Sequence, residues 1–351
     1  MTRATLASAL TLALALASAA GADPTGAPRP DAHAPIGVMG DHMHSKGEFM
    51  LSYRYMRMRM DDNLDGTDER TDGQILVPRG DFLVTPTDMN MQMHMMGAMW
   101  APFDRITLMG MLPYIVLDMD HVTATGQKFT TRSQGIGDIS VTALVRLWEN
   151  EHHHFHLNAG VSFPTGSIDR KDDTPASMGK NVILPYPMQL GSGTVDLLPG
   201  LTYTGKSEFL SWGGQALGNV HLGRNDENYR LGNSYLLTGW GAWKALDWFS
   251  LSGRVAWEQW LDIQGQDDRI PGVTNPMVGT VPADQVVPTA DPNLRAGQRL
   301  DVGPSVNFIV TDGPFKGVRF AVEAMFPAYQ NLDGPQLQTK WTLTTGIQYA
   351  F

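Results

Sequence analysis

From about residue 47 to residue 351 the apolar residues of this chain recur at every second position, not every third or fourth. In "QLQTKWTLTTGIQYAF" (336–351), Trp341, Leu343, Thr345, Ile347, Tyr349 and Phe351 share one face of an extended strand, and Lys340, Thr342, Thr344, Gly346 and Gln348 share the other. A period of two belongs to the β-strand, where successive side chains point to opposite sides. Strands are expected near 47–60, 88–100, 105–121, 135–148, 152–164, 193–204, 211–223, 230–244, 248–263, 298–311, 317–328 and 336–351. That is about twelve, an even number, each long enough for the roughly 9–11 residues a tilted membrane strand needs. Beyond the N-terminal leader no apolar run is long enough for a membrane helix, so a membrane form must be a closed sheet: lipid offers no partner to an open strand edge.

The connections support closure in a membrane. If the N-terminal end is periplasmic, the turns on that side are the short ones, "APFD", "WENE", "TGKSEFL", "ALD" and "TDGPFK". The other side carries three long polar connections near 61–87, 165–192 and 264–297. Short periplasmic turns and long outer loops are the habit of outer-membrane barrels. A soluble periplasmic β-protein would alternate too, but would need neither this asymmetry nor a terminal Phe. The last strand resembles the C-terminal signature of bacterial outer-membrane barrels, with Tyr349 and Phe351 as the signal that the barrel-assembly machinery reads. Trp100, Trp148 and Trp248 fall beside periplasmic turns, where an aromatic girdle is expected.

The first residues read as an export signal: Arg3, the apolar stretch Ala4–Leu16, and small-x-small cleavage points after Ala19 or Ala22. The chain therefore divides into a signal peptide (1–22), a periplasmic N-terminal segment or plug (23–46) and a barrel (47–351). There is no cysteine, which removes disulfides, thiolate metal sites and cysteine nucleophiles. Acidic residues number 36 against 26 basic ones; losing Arg3 leaves 25 and moves the net charge from −10 to −11. That balance argues against nucleic acid as a partner.

In a membrane barrel the polar face turns inward. The expected lining is Arg54, Asn90, Gln92, His94, Asp138, Arg146, Arg254, Glu258, Arg299, Asp301, Arg319, Glu323 and Lys340. Such charges cannot face hydrocarbon, where Arg or Lys at the midplane costs about 2–4 kcal/mol. They either set the selectivity of a pore or brace a narrow lumen by pairing.

Fifteen of the twenty methionines lie between Met39 and Met119. On the second strand, Met89, Met91, Met93, Met95 and Met99 stand opposite Asn90, Gln92 and His94, which predicts that they face lipid. Met56, Met58 and Met60 share a face with Arg54, and Met109, Met111 and Met119 share one with Thr107 and His121; both sets are expected inward. Ahead of the barrel come His42, Met43 and His44. Thioether with imidazole suits a soft ion such as monovalent copper or silver. The candidate ligands are Met56, Met58, Met60, Met109, Met111, Met119, His121, His42 and His44. A thioether wall serves equally well for apolar or aromatic molecules.

"GIGDIS" (135–140), "SFPTGS" (162–167), "TGIQYAF" (345–351) and the start "GDHMHSKGEFMLSYRYMRMRMDDN" resemble a bacterial outer-membrane barrel family named for the meta-pathway of phenol degradation, whose members are labelled as transporters. The resemblance implies a barrel and uptake of hydrophobic or aromatic molecules; it assigns no binding residue. The expectation is thus an all-β, antiparallel up-and-down transmembrane barrel in the outer membrane, in contact with its lipid. Its expected function is a channel or transporter for small-molecule solutes, with soft-metal binding and a non-transporting structural barrel as alternatives. No cofactor is expected. No nucleophile–base–orienter set appears beside His94, His121 or His221, so an enzyme is not expected.

Overall fold

A computed structural model describes residues 29–275 and 279–351; the expected signal peptide and residues 23–28 lie outside the described residues. The alternating segments form one closed antiparallel sheet in which every strand pairs with its neighbours in sequence. Its staves are β1 (Phe49–Gly66), β2 (Val84–Phe103), β3 (Ile106–Thr123), β4 (Lys128–Ile136 continued by Ile139–Glu149) and β5 (His153–Phe163). They continue as β6 (Val195–Lys206), β7 (Leu210–Leu222), β8 (Ser234–Leu246), β9 (Phe249–Trp260) and β10 (Gly297–Ile309). The run Arg319–Ala350 supplies the last two, pairing with β10 through 319–332 (β11) and with β1 through 332–350 (β12). Twelve staves result, closed where β12 meets β1. There Phe49 and Phe351 exchange both backbone hydrogen bonds, at 2.8 and 2.9 Å.

One end carries only brief connections at 104–105, 150–152, 207–209, 247–248 and 310–318. The other carries 67–83, 164–194, 223–233 and 261–296. Trp100, Trp148 and Trp248 sit at the short-turn end, each about half exposed (48, 52 and 48 %). Above them an outward band of Leu201, Leu237, Leu251, Val255 and Ile347 is also exposed. Large apolar side chains left open over a whole circumference fit a lipid-facing surface.

Three details differ from the sequence reading. The fourth strand begins at Lys128, not 135: its outer half pairs with β3 from Tyr114 to Val122, and the break falls at Gly137–Asp138. β1 runs on to Gly66 and β2 starts at Val84, so these staves rise well past the length that spans a membrane. The break in β4 is also the anchor of the longest outer loop but one. Asp138 accepts the Gly166 N–H at 2.8 Å and the Ser192 N–H at 2.7 Å, so one carboxylate ties both ends of the loop 164–194 to the wall. Thr165 Oγ1 donates to the Gly137 carbonyl and accepts the Ile139 N–H, both at 2.9 Å. The "GIGD" and "FPTG" motifs are therefore two halves of one clasp.

Replacing Asp138 by Ala leaves two N–H groups without their acceptor, at a cost of about 1–3 kcal/mol for each that stays dry. D138A should keep the folded barrel's migration in unheated gels, while limited proteolysis cuts within 167–191 faster than in the wild type. Equal cleavage rates would show that the clasp does not hold the loop.

Candidate functional site

Register fixes which side chains enter the lumen, because directly paired residues share a face. Arg54 is 4 % exposed and pairs with Met95 on one side and Gly346 on the other. With that face inward, β1 presents Met50, Met56, Met58 and Met60. β2 presents Met89, Met91, Met93, Met95 and Met99 to the same space, and β3 presents Met109, Met111 and Met119. Four, five and three make twelve methionines on three adjacent staves, one continuous thioether wall.

This reverses the expectation for β2. Its methionines do not face lipid, and Asn90, Gln92 and His94 do not line the lumen. They lie outside, paired across the strand boundary: Tyr53 Oη with His94 Nδ1 at 2.7 Å, Tyr55 Oη donating to Gln92 at 2.9 Å, and Arg57 Nε donating to Asn90 at 2.8 Å. Arg59 continues the ladder onto Asp88. Polar residues are tolerated on this outer face because they satisfy one another and because β1 and β2 are so tall. Lys340 is a second correction. It occupies the register shift opposite Arg59 and Met60, which gives the inward place to Thr339, and its Nζ reaches Asp62 at 2.6 Å and Asp61 at 3.3 Å at the outer rim. Asp138 is a third, since both its oxygens are committed to the loop clasp.

The opposite wall is polar and cross-linked by side-chain hydrogen bonds. Arg254 holds Glu323 at 3.0 and 3.2 Å. Arg299 bridges Asp301 at 2.8 Å, Glu258 at 3.1 Å and Thr339 at 2.7 Å. Arg319 donates to Asn307 at 2.6 Å and to Gln348. Arg146 faces in near the short-turn end beside Glu149. Paired charges of this kind brace a wall and leave little free charge to select ions.

Residues 29–48 enter the barrel from the short-turn end. Arg29 donates to the carbonyls of Ser207 and Glu208, and Lys46 N–H donates to Asp104, so both ends of the segment are fastened at the rim. Between them the chain dips inward. The Ala34 carbonyl accepts from Arg319, the Met39 carbonyl from Gln215, and the Gly40 carbonyl from His156 at 2.9 Å. At the tip, a Cβ on Gly37 would run into the Glu323 carboxylate and the Arg254 guanidinium, so a larger residue must push that ion pair aside. Ala34 and Val38 pack on Trp240, and Met43 packs with Met50, Met99, Met109 and Leu144. The segment, called the plug below for its place in the lumen, reaches about five residues up the staves, roughly half of a membrane span.

At the outer end the loop 164–194 folds inward as a cap. Leu184, Met188 and Leu190 of the loop 164–194 bury against Met89, Leu117 and Met119, and Ser133 Oγ donates to the Met188 carbonyl at 2.6 Å. Beside this lies a cavity of about 330 Å³ lined mainly by apolar residues, among them Phe129, Leu184, Ile270 and Val287. His121 stacks on Phe129 at 4.8 Å there, and Thr131 Oγ1, also on the lining, has no hydrogen-bond partner. Between plug and cap, Met56, Met58, Met91 and Met93 are inward yet only half buried, so open space adjoins them.

On the periplasmic side of the plug a vestibule of about 540 Å³ gathers His33, His42, His44, His154 and His156, half of the chain's ten histidines. Burial, followed by the neighbouring His42, holds the His33 imidazole well below its ordinary pKa, hence neutral. Burial pushes the Asp41 carboxyl upward, but the hydrogen-bonded His42 outweighs it and brings the group below the usual carboxylate range. Of the metal candidates read from sequence, the six methionines lie on the thioether wall, His121 at the outer cavity, and His42 and His44 in the vestibule. His33 and Asp41 were not singled out, because nothing in "PDAHAPIGVMGDHMH" shows that 33 and 41 fold back on each other.

A solved structure shares this architecture. An outer-membrane channel of Pseudomonas putida F1 superposes with a TM-score of 0.56 at 13 % identity, over 90 % of this chain and all of that one. The translocator domain of the autotransporter NalP from Neisseria meningitidis matches more loosely (TM-score 0.44, 9 % identity, 86 % of this chain and 88 % of that one). The β domain of the Bordetella autotransporter BrkA matches similarly (0.43, 10 %, 87 % and 100 %). No curated protein matches the sequence. The chain has the fold of an outer-membrane β-barrel channel. The model of the family described as "Putative MetA-pathway of phenol degradation" matches residues 66–280, more than half of the chain, and the chain belongs to that family.

Proposed function

We propose that this protein is a gated channel for small apolar solutes, hydrophobic and aromatic ones included, which move along the thioether wall between the outer cavity and the periplasmic vestibule. The observation that carries this reading is the continuity of the wall. Met60, Met89 and Met119 touch the outer cap, Met50, Met99 and Met109 touch the plug, and the half-buried methionines lie between. A thioether is apolar, polarizable and flexible, so such a surface adapts to solutes of differing shape without a fixed pocket. Across the lumen the arginines and carboxylates of the charged wall are hydrogen-bonded to one another and to neighbouring amides, which leaves an apolar track beside a polar one.

A second reading is favoured by the same wall ending among imidazoles. A series of thioethers passes a soft monovalent ion from site to site, and histidines receive it at the periplasmic end. The two readings part on one substitution set. Changing Met56, Met58, Met91, Met93, Met95 and Met111 to Leu preserves apolar area and removes every sulfur from the middle of the track. Under the apolar reading, uptake of small aromatic solutes into proteoliposomes stays near wild type. Under the soft-metal reading, Ag(I) binding by the purified barrel is lost. Loss of aromatic uptake with retention of Ag(I) binding would defeat both.

Gating is tested at the tip of the plug. Gly37→Leu places a side chain where Glu323 and Arg254 stand, so the tip cannot seat. Single-channel recordings of G37L should show larger or more frequent openings than wild type. Identical traces would mean that the plug does not limit passage.

A further inference from the structure

The neck of the plug has a chemistry that the thioether wall does not. We propose that His33, Asp41 and His42 form a binding site for a late first-row dication, with Zn2+ the ion whose geometry it fits best. One donor atom from each residue lies within 4.8 Å of the others. The Nδ1 atoms of His33 and His42 are 3.3 Å apart, and Asp41 Oδ1 is 2.9 Å from His42 Nδ1. In a tetrahedral centre with metal–nitrogen bonds of about 2.0–2.1 Å, two ligand nitrogens stand about 3.3 Å apart. The imidazole pair already holds that separation.

The surroundings are those of a prepared site. Asp41 turns its second oxygen to the Ala34 N–H at 2.8 Å, which fixes the carboxylate and leaves Oδ1 for the neck. The rings of His33 and His42 meet edge to face, with centroids 4.3 Å apart. The vestibule opens beside them and leaves a fourth position for water or a further donor. Two imidazoles and a carboxylate suit zinc or divalent copper, not the soft monovalent ions that suit thioethers. The site therefore stands whichever solute the wall carries.

Its position gives it a role. Residues 33 and 42 are the two ends of the loop that dips into the lumen, so an ion between them staples the neck from which the Gly37 tip projects. A stapled neck keeps the loop narrow enough to seat beside Glu323; without the ion, the Asp41 contacts, the His33–His42 contact and the Val38–Pro35 turn hold its two limbs together.

The test is a titration of the purified full chain in detergent, by calorimetry with Zn2+ and by visible absorption with Co2+ as chromophore. One equivalent of Zn2+ is expected, with the intense absorption of tetrahedral Co2+. His33→Ala and His42→Ala should each weaken binding by more than the roughly 10–100-fold that an outer-shell change costs. Asp41→Asn, which keeps shape and a hydrogen-bonding oxygen, should weaken it less than either. Met56→Leu with Met58→Leu, and His152→Ala with His153→Ala, should leave it unchanged. His42→Gln, with unheated gel migration checked for each variant, separates loss of a ligand from loss of the fold. Absence of a one-equivalent site, or a site indifferent to H33A and H42A, would overturn the proposal.

Discussion

Closure of the backbone ladder governs this molecule. In a bilayer every N–H and C=O along twelve staves must find a partner within the protein, and only the meeting of β12 with β1 removes the two open edges. Once Phe49 and Phe351 are joined, each residue's side of the wall is set by parity. A shift of one residue anywhere would exchange lumen for lipid along the whole stave.

That constraint divides the lumen into unlike halves. β1, β2 and β3 contribute methionines that carry no charge and adapt their shape. β9, β10 and β11 contribute arginines and carboxylates that cannot face lipid; Arg254 and Arg299 pair with the carboxylates, and Arg319 is held by Asn307 and Gln348. Neither half alone would close the barrel's interior; the N-terminal segment does so by meeting both, with Met43 against the thioethers and Gly37 against the Arg254–Glu323 pair. The outer loops repeat the device, Met188 and Leu190 covering the far end of the same methionine wall. The plug and the cap are therefore fitted to the two ends of one surface, which is why the proposed route runs along it.

Much of this was legible in the sequence. The period of two located all twelve staves, and the contrast between short and long connections oriented them, since both follow from local chemistry. The phase of β2 was not legible. "DMNMQMHMM" alternates polar and apolar residues cleanly, and in a barrel that ordinarily puts Asn90, Gln92 and His94 inside. What decides the matter is the neighbouring stave: Arg57 and Arg59 alternate with Met56 and Met58, and the tyrosines and arginines of β1 supply outside partners for the polar residues of β2. Cross-strand partners cannot be read from one strand. The Lys340 bulge and the return of His33 toward His42 were hidden for the same reason: each depends on backbone geometry that no spacing of residue types records.

The absence of native cysteine makes the inward methionine face directly measurable. Single cysteines placed in turn from 91 to 97 (M91C, Q92C, M93C, H94C, M95C, M96C and G97C) and spin-labelled in lipid bilayers report contact with acyl chains through collisions with dissolved oxygen. The account requires collision maxima at 92, 94 and 96 and minima at 91, 93 and 95. Maxima at the odd positions would place the methionines in lipid, and the thioether wall would not exist.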